Sequence, residues 1–215
     1  GDPGGFYSLR ADDLLHGRGP FTPPPAIDLD ANEAAEIAEA EAWLRQTFAL
    51  EQEGALYPLS DTLKADPRMI RGQELMAVAD YSAAEDEVEA LRLDYKEDPL
   101  ATYQLAMFFR DIGLNRLSIT AAASLLTEDG VDESTAPRLL RRLRYPVYYK
   151  DLVLPEAKAN NLDPLLVFAL IRQESLFEGL ATSFATAQGL MQIIPDTGEW
   201  IALQMRWPNY QNHDV

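Results

Sequence analysis

The chain has 215 residues, enough to bury a sizeable core in one large domain or two small ones. Its 35 acidic residues against 18 basic ones leave a net charge of −17, which repels polyanions and sets nucleic acid aside as a partner. With 47% hydrophobic and 25% charged residues the chain reads as a folding protein, and the absence of cysteine removes thiol catalysis, Cys-ligated zinc and a disulfide framework together.

The first residue is Gly1 rather than Met, and no basic start leads into an apolar core of the signal-peptide kind. A processed or cut N-terminus is therefore expected. Residues 1–30 begin with ten glycines and prolines in the first twenty-five positions, which predicts an extended or loop segment. Asp30 followed by Glu33 resembles a capping box, and Ile37, Leu44 and Phe48 recur at helical spacing, so a helix is expected from about 31 to 50. The segment Glu74 to Tyr81 then overlays Met107 to Leu114 at an offset of 33 residues. That is near the ~34-residue tetratricopeptide period, with turns placed at Asp80 and Gly113. Two ordinary helical hairpins fit the same pattern. Either way residues 31–144 read as an all-α, superhelical or TPR-like array, since no period-2 strand pattern is present. Residues 1–144 hold a net charge of −13 and residues 145–215 one of −4, so the acidity lies mainly on the array, as a solvated helix surface.

A boundary is expected near Tyr145 and Pro146, where a tyrosine-rich stretch leads to Asp163 and Pro164, placed to cap and to open a new helix. The run Leu165 to Ile171 is apolar all round and is far short of the ~20 residues of a membrane span, so it predicts a buried core helix. Glu174 follows Leu166 and Leu170 in one row at spacings of four, a row expected to face the core. A carboxylate there has its charged form disfavoured by desolvation, so its pKa is expected to rise toward the range a general acid needs. The competing expectation puts Glu174 where the helix emerges, exposed or paired with Arg172.

Gln173-Glu174-Ser175, then Ser183, then Gly189-Leu190-Met191-Gln192 with Pro195 and Thr197, resemble the catalytic core of the soluble lytic transglycosylases, the SLT family with a goose-type-lysozyme-like domain. The resemblance spans about Tyr145 to Val215. It implies an all-α fold in which the helical array precedes a lysozyme-like SLT domain, here incomplete at its C-terminal end. Glu174 corresponds to the family's single acid/base. Ser183 corresponds to a serine contacting the N-acetyl sugar, and Met191 and Gln192 to residues lining the glycan groove. Ser175 belongs to the motif as a structural tie between the helix and the next loop, and Gly189 as a site of close backbone approach or positive φ. Two departures stand out. Ala185-Thr186-Ala187 replaces the family's Ala-Gly-Ala, which strains the loop if the glycine needs φ > 0. The family's later Ala-Tyr-Asn motif is not in the chain, so the sequence is expected to be a fragment and a poor catalyst by itself.

The resemblance further implies cleavage of the β-1,4 bond between N-acetylmuramic acid and N-acetylglucosamine in peptidoglycan, with a 1,6-anhydro product and no metal or organic cofactor. It points to a cell-envelope or extracellular location, periplasmic or exported, with membrane attachment through a missing N-terminal segment. Glycan strands are the expected partner, and envelope proteins could meet the array. Two rivals remain at this stage: a non-catalytic helical-repeat scaffold binding protein or glycan, and a goose-type hydrolase. Glu178, the nearest second carboxylate, is read as not forming a working pair with Glu174. His16 and His213 lack ligand-spaced partners. Packing is the first expectation for Tyr148, Tyr149, Trp200 and Trp207, with sugar stacking as the alternative.

Overall fold

The structure, a computed structural model, describes residues 6–19, 29, 32–127, 131 and 135–214. Among them the chain is all-α, and the only β pairing is a pair of isolated bridges, Thr182 with Gln188 and Gln188 with Ile193. No described helix is long and apolar enough to cross a membrane.

The N-terminal stretch departs from the extended segment that its composition predicts. Helix α1 covers Phe6–Leu15, because the helix breakers cluster before residue 6 and after residue 16, leaving a run free of glycine and proline. Helix α2, Glu33–Phe48, opens on Asn32, whose side chain accepts a hydrogen bond from the Ala35 N–H. The cap is therefore Asn32 rather than Asp30, which lies outside the described residues. Either short polar side chain serves, since both satisfy an orphan N–H of the first turn.

Helices α3 (Asp61–Ala65), α4 (Pro67–Ala77) and α5 (Tyr81–Asp94) follow, then α6 (Pro99–Asp111) and α7 (Asn115–Thr127). The pairs α4/α5 and α6/α7 are helical hairpins with matching turns, in which Ala79 (φ 62°) and Gly113 (φ 79°) take the left-handed conformation. These two lie 34 residues apart, so the repeat runs one residue longer than the sequence overlay, and Asp80 is the N-cap of α5 rather than the counterpart of Gly113. Gly72 on α4 admits α5 closely: a Cβ there would stand 2.7 Å from Val88 Cγ1.

Helix α6 is a wall shared by two cores. Tyr103, Ala106 and Met107 face α2 and α8 (Arg138–Arg144), while Ala101, Leu105 and Phe109 face α3, α4 and α5. Gln104, buried on the same helix, donates to the Leu56 carbonyl at 2.7 Å and accepts from the Ser60 N–H at 2.9 Å, which fastens the 50–60 loop over it. Glu36 of α2 lies 3.5 Å from Arg138 and 3.4 Å from Arg142 of α8.

Helices α9 (Lys150–Ala159), α10 (Pro164–Ser175) and α11 (Pro195–Met205) complete the chain. Asp163 caps α10 by accepting from the Leu165 N–H at 2.9 Å, with Pro164 in the first turn. A third core joins this module to the array: Val153, Phe168, Ile171 and Phe177 pack with Ile119 of α7. Phe177 is fully buried. Its ring meets Tyr148 edge-on at 5.6 Å, and its carbonyl accepts from Asn115 Nδ2 at 3.1 Å. Truncation to alanine would empty this pocket, so Phe177→Ala is expected to lower unfolding free energy by about 3–5 kcal/mol. Leu180→Ala, at a side chain that is 79% exposed, should shift it by less than about 0.5 kcal/mol. Denaturant titration of both variants against the parent chain checks the pair.

Candidate active site

Helix α10 ends abruptly. After Ser175, Leu176 (φ 50°) and Phe177 (φ 64°) both adopt the left-handed conformation, which reverses the chain and sends the Phe177 ring into the third core. The Ser175 hydroxyl lies 3.2 Å from the Ile171 carbonyl of its own helix and 3.0 Å from the Leu190 carbonyl. It thus ties the helix end to the loop between α10 and α11. Arg172, one turn back, donates from Nε to the Arg144 carbonyl at 2.9 Å and stacks on the Tyr145 ring at 4.8 Å. Arg172 is therefore held by α8 and the connection after it, not by Glu174.

Glu174 is exposed, and so are Leu166 (53%) and Leu170 (42%) in the row leading to it. The expectation that this row faces the core is corrected: α10 buries Phe168, Ile171 and Ser175 instead. The reason is that an apolar stripe all round the helix carries no information about which side its neighbours cover, and α9 and α7 cover the Phe168 side. Glu174 thus stands in solvent at the end of an apolar strip, without the burial that its place in an apolar row predicts.

The loop after α10 is built from its own polar groups. Ser183 Oγ accepts from the N–H groups of Ala185 and Ala187, each at 3.2 Å, and its side chain is exposed, which leaves the hydroxyl proton to donate outward. Gln188 and Ile193 exchange both backbone hydrogen bonds at 3.0 Å around a tight reversal, made with Gly189 at φ 75° and Gln192 at φ 47°. Gln192 Nε2 donates to the carbonyls of Ala181 and Gly189, each at 3.0 Å. Both of its amide protons are spent inside the loop, so Oε1 is the atom left for a ligand. Met191 is half-buried against the Phe168 and Ile171 cluster, so it meets the surface only in part.

Thr186 occupies φ 58°, where a β-branched residue is strained. Its Oγ1 donates to the Ala185 carbonyl at 2.7 Å, and its carbonyl accepts from Asn212 Nδ2 at 3.1 Å. Asn212 in turn accepts from the Tyr210 hydroxyl at 3.4 Å, and Tyr210 lies over Gly198 so closely that a Cβ would come within 1.9 Å of that hydroxyl. The C-terminal turn thereby braces both α11 and the Thr186 loop.

Glu178 does not face Glu174. The helix has ended before it, and its carboxyl is turned toward Glu85 of α5 and the start of α7; burial, then Glu85, push it up to about 7. The sequence offered no signal for that contact, because Glu85 belongs to a distant hairpin. Tyr148 packs inside on Phe177, but Tyr149, Trp200 and Trp207 are 40%, 62% and 40% exposed, against the expectation that most would be packed. Phe184 and Leu203 are also exposed. His16 and His213 are surface residues whose nearest carboxylates are Asp12 at 3.1 Å and Asp214 at 3.7 Å. Among the described residues no group of three or more His, Asp or Glu is placed to hold a metal ion.

Residues 151–215 match the Transglycosylase SLT domain family. The C-terminal module is of the transglycosylase SLT type. The fold of the whole chain is similar to solved structures of such enzymes. One is an inactive mutant of the lytic transglycosylase Slt from Pseudomonas aeruginosa, with a TM-score of 0.61 and 16% identity over 97% of this chain. Another is the 70 kDa soluble lytic transglycosylase SLT70 from Escherichia coli, with a TM-score of 0.55 and 21% identity over 96% of this chain. A 70 kDa soluble lytic transglycosylase in complex with bulgecin A gives a TM-score of 0.57 at 20% identity over 97% of this chain. The chain spans 32% of the length of each of these structures. The SLT module sits on a helical array that shares the fold of those larger proteins.

Releasing the strain at Thr186 tests the loop geometry. Thr186→Gly removes the β-branched side chain from φ 58° and is expected to raise stability by about 1 kcal/mol, less what the Oγ1 hydrogen bond contributed. A thermal melt showing a loss of several degrees would mean that the loop depends on that hydroxyl instead.

Proposed function

We propose that the chain is the SLT-containing part of a peptidoglycan lytic transglycosylase that cleaves the β-1,4 bond between N-acetylmuramic acid and N-acetylglucosamine. The observation that carries this reading is Glu174, a solvent-facing carboxyl at the end of α10, in the helix whose last turn Ser175 fastens to the SLT loop. Its position within the matched segment supports the same role. In this mechanism the protonated Glu174 gives its proton to the glycosidic oxygen as the bond from the anomeric carbon breaks. The substrate's own N-acetyl carbonyl stabilises the charge that develops at that carbon. Glu174, now ionised, takes the proton of the muramoyl 6-hydroxyl while that oxygen bonds to the anomeric carbon, closing a 1,6-anhydro ring and restoring the acid. No water is consumed, so the reaction is that of a lyase.

A single carboxyl suffices for this cycle, and Glu178 is committed elsewhere by its contact with Glu85. The exposed Ser183 hydroxyl is suited to donate to the N-acetyl carbonyl, Gln192 Oε1 to accept from a sugar hydroxyl, and the visible part of Met191 to form one wall of the groove. Ser175 and Gly189 act on the shape of the site, not on the sugar. Neither a metal nor an organic cofactor has a step in the cycle. The location that fits the substrate is the cell envelope, periplasmic or exported, and the array offers a surface for envelope proteins.

Incubated with purified sacculi, the native protein is expected to release muropeptides ending in 1,6-anhydro sugars, and to do so in the presence of chelator; mass spectrometry of the products decides. Reducing ends alone would make the protein a hydrolase of the goose-type kind, and no release would leave a non-catalytic helical-repeat scaffold binding protein or glycan. Glu174→Gln should cut turnover by at least about 1,000-fold while the thermal melt is unchanged, because the amide keeps the shape and loses the transferable proton.

A further inference from the structure

Glu178 is a half-buried carboxyl that the proposed chemistry leaves unused. Oε2 of Glu178 and Oε1 of Glu85 are both shut off from solvent, and neither meets a donor from any neighbouring group. An ionised carboxylate only accepts hydrogen bonds, so two of them side by side in a seam would leave both atoms unsatisfied. One proton between them makes one oxygen a donor and the other its acceptor, so that neither is left without a partner.

The surrounding charges agree. From α7, Arg116 approaches Glu85 at 3.4 Å, and its backbone N–H is directed at the Glu178 carboxyl. From α5, Glu89 feels Arg116, but it is neutralised by Arg92 through a bond of 2.7 Å. Asn115 gives its amide to the Phe177 carbonyl, and the Tyr149 hydroxyl closes over Gly179. With both glutamates ionised the cluster carries one uncompensated negative charge, and a single proton brings it to neutrality. Because the Arg116 guanidinium lies on Glu85, the proton belongs on Glu178.

We propose that Glu85 and Glu178 share one proton and so latch the loop behind Glu174 to the helical array, which makes Glu178 a positioning residue for α10. The latch stands on its own geometry; only its bearing on cleavage rests on the reading of Glu174. Burial, and then Glu85, push Glu178 up to about 7 from the 4.5 of an ordinary glutamate. Since the folded value is the higher one, the latch contributes fully below about 4.5, weakens as pH rises, and is lost above about 7.

The test is a carbon-detected NMR titration of the glutamate side chains of the 215-residue chain, with thermal melts of parent and Glu178→Gln at about pH 5 and about pH 8. One glutamate should titrate near 7, its signal should vanish in Glu178→Gln, and Glu85→Gln should bring it down toward the ordinary range. Glutamine donates to Glu85 at every pH, so the melting temperature of Glu178→Gln relative to the parent should rise by several degrees between the two pH values. The proposal is overturned if every glutamate of the parent titrates below about 5, a result that needs no variant to fold, or if the relative melting temperature is the same at both pH values. A chain that titrates as expected but cleaves no glycan would sink the role of Glu174 and leave the latch standing.

Discussion

Helix α7 contributes residues to all three cores, and the most consequential of its contacts is made by its first turn. Ala121, Ala122, Leu125 and Leu126 belong to the core against α2 and α8, Leu117 to the core against α4 and α5, and Ile119 to the core under α10. At its start, Asn115 captures the Phe177 carbonyl while Ile119 supports the Phe177 ring. Phe177 follows Glu174 by three residues, so the seat of this one ring fixes where α10 stops and where its last carboxyl emerges. A buried aromatic with a hydrogen-bonded carbonyl makes a rigid anchor, because ring packing sets position and the hydrogen bond sets rotation. The array is thereby part of the support of the SLT module rather than a separate appendage.

Beyond that anchor the site is assembled from backbone conformations that most side chains avoid. Leu176, Phe177, Thr186, Gly189 and Gln192 all have positive φ within seventeen residues, and only one of them is glycine. Each non-glycine position costs of the order of 1–3 kcal/mol unless its surroundings hold it. The holding groups are identifiable: Ser175 on Leu190, Gln192 on two carbonyls, Ser183 on two N–H groups, and Asn212 on Thr186. The polar residues of the motif therefore serve the loop before they can serve a substrate. Replacements at these places without the same hydrogen-bonding groups would let the reversal relax.

Much of this was legible locally and little of it at long range. Asp163 and Pro164 announced the start of α10 because a cap and a first-turn proline act within a few residues. The hairpins α4/α5 and α6/α7 were legible as helices separated by turns, yet the exact period was not, because the left-handed position falls on Ala79 in one copy and Gly113 in the other. Helix α1 was lost to averaging, since ten breakers in the first twenty-five residues conceal a run that contains none. The buried face of α10, formed by Phe168, Ile171 and Ser175, is not legible in the sequence because a helix apolar on every side gives no preferred face. The partnership of Glu178 with Glu85 was out of reach: nothing in either neighbourhood points to the other, and only the docking of Phe177 brings them together.

Charge separates the two halves of the chain in a way that bears on how a glycan could be held. Residues 1–144 carry a net charge of −13 and residues 145–215 one of −4, so the field of these 215 residues does not draw in an anionic polymer. Peptidoglycan bears carboxylates, and in the proposed reading its capture must therefore come from short-range contacts able to outweigh that repulsion. Phe184, Trp200 and Trp207 are exposed, and in that reading their flat faces are suited to the apolar faces of sugar rings. Such contacts act only at touching distance, where hydrogen bonds from Ser183 and Gln192 also act. In the proposed reading such a site selects by shape rather than by charge, which suits a neutral glycosidic bond between two uncharged rings.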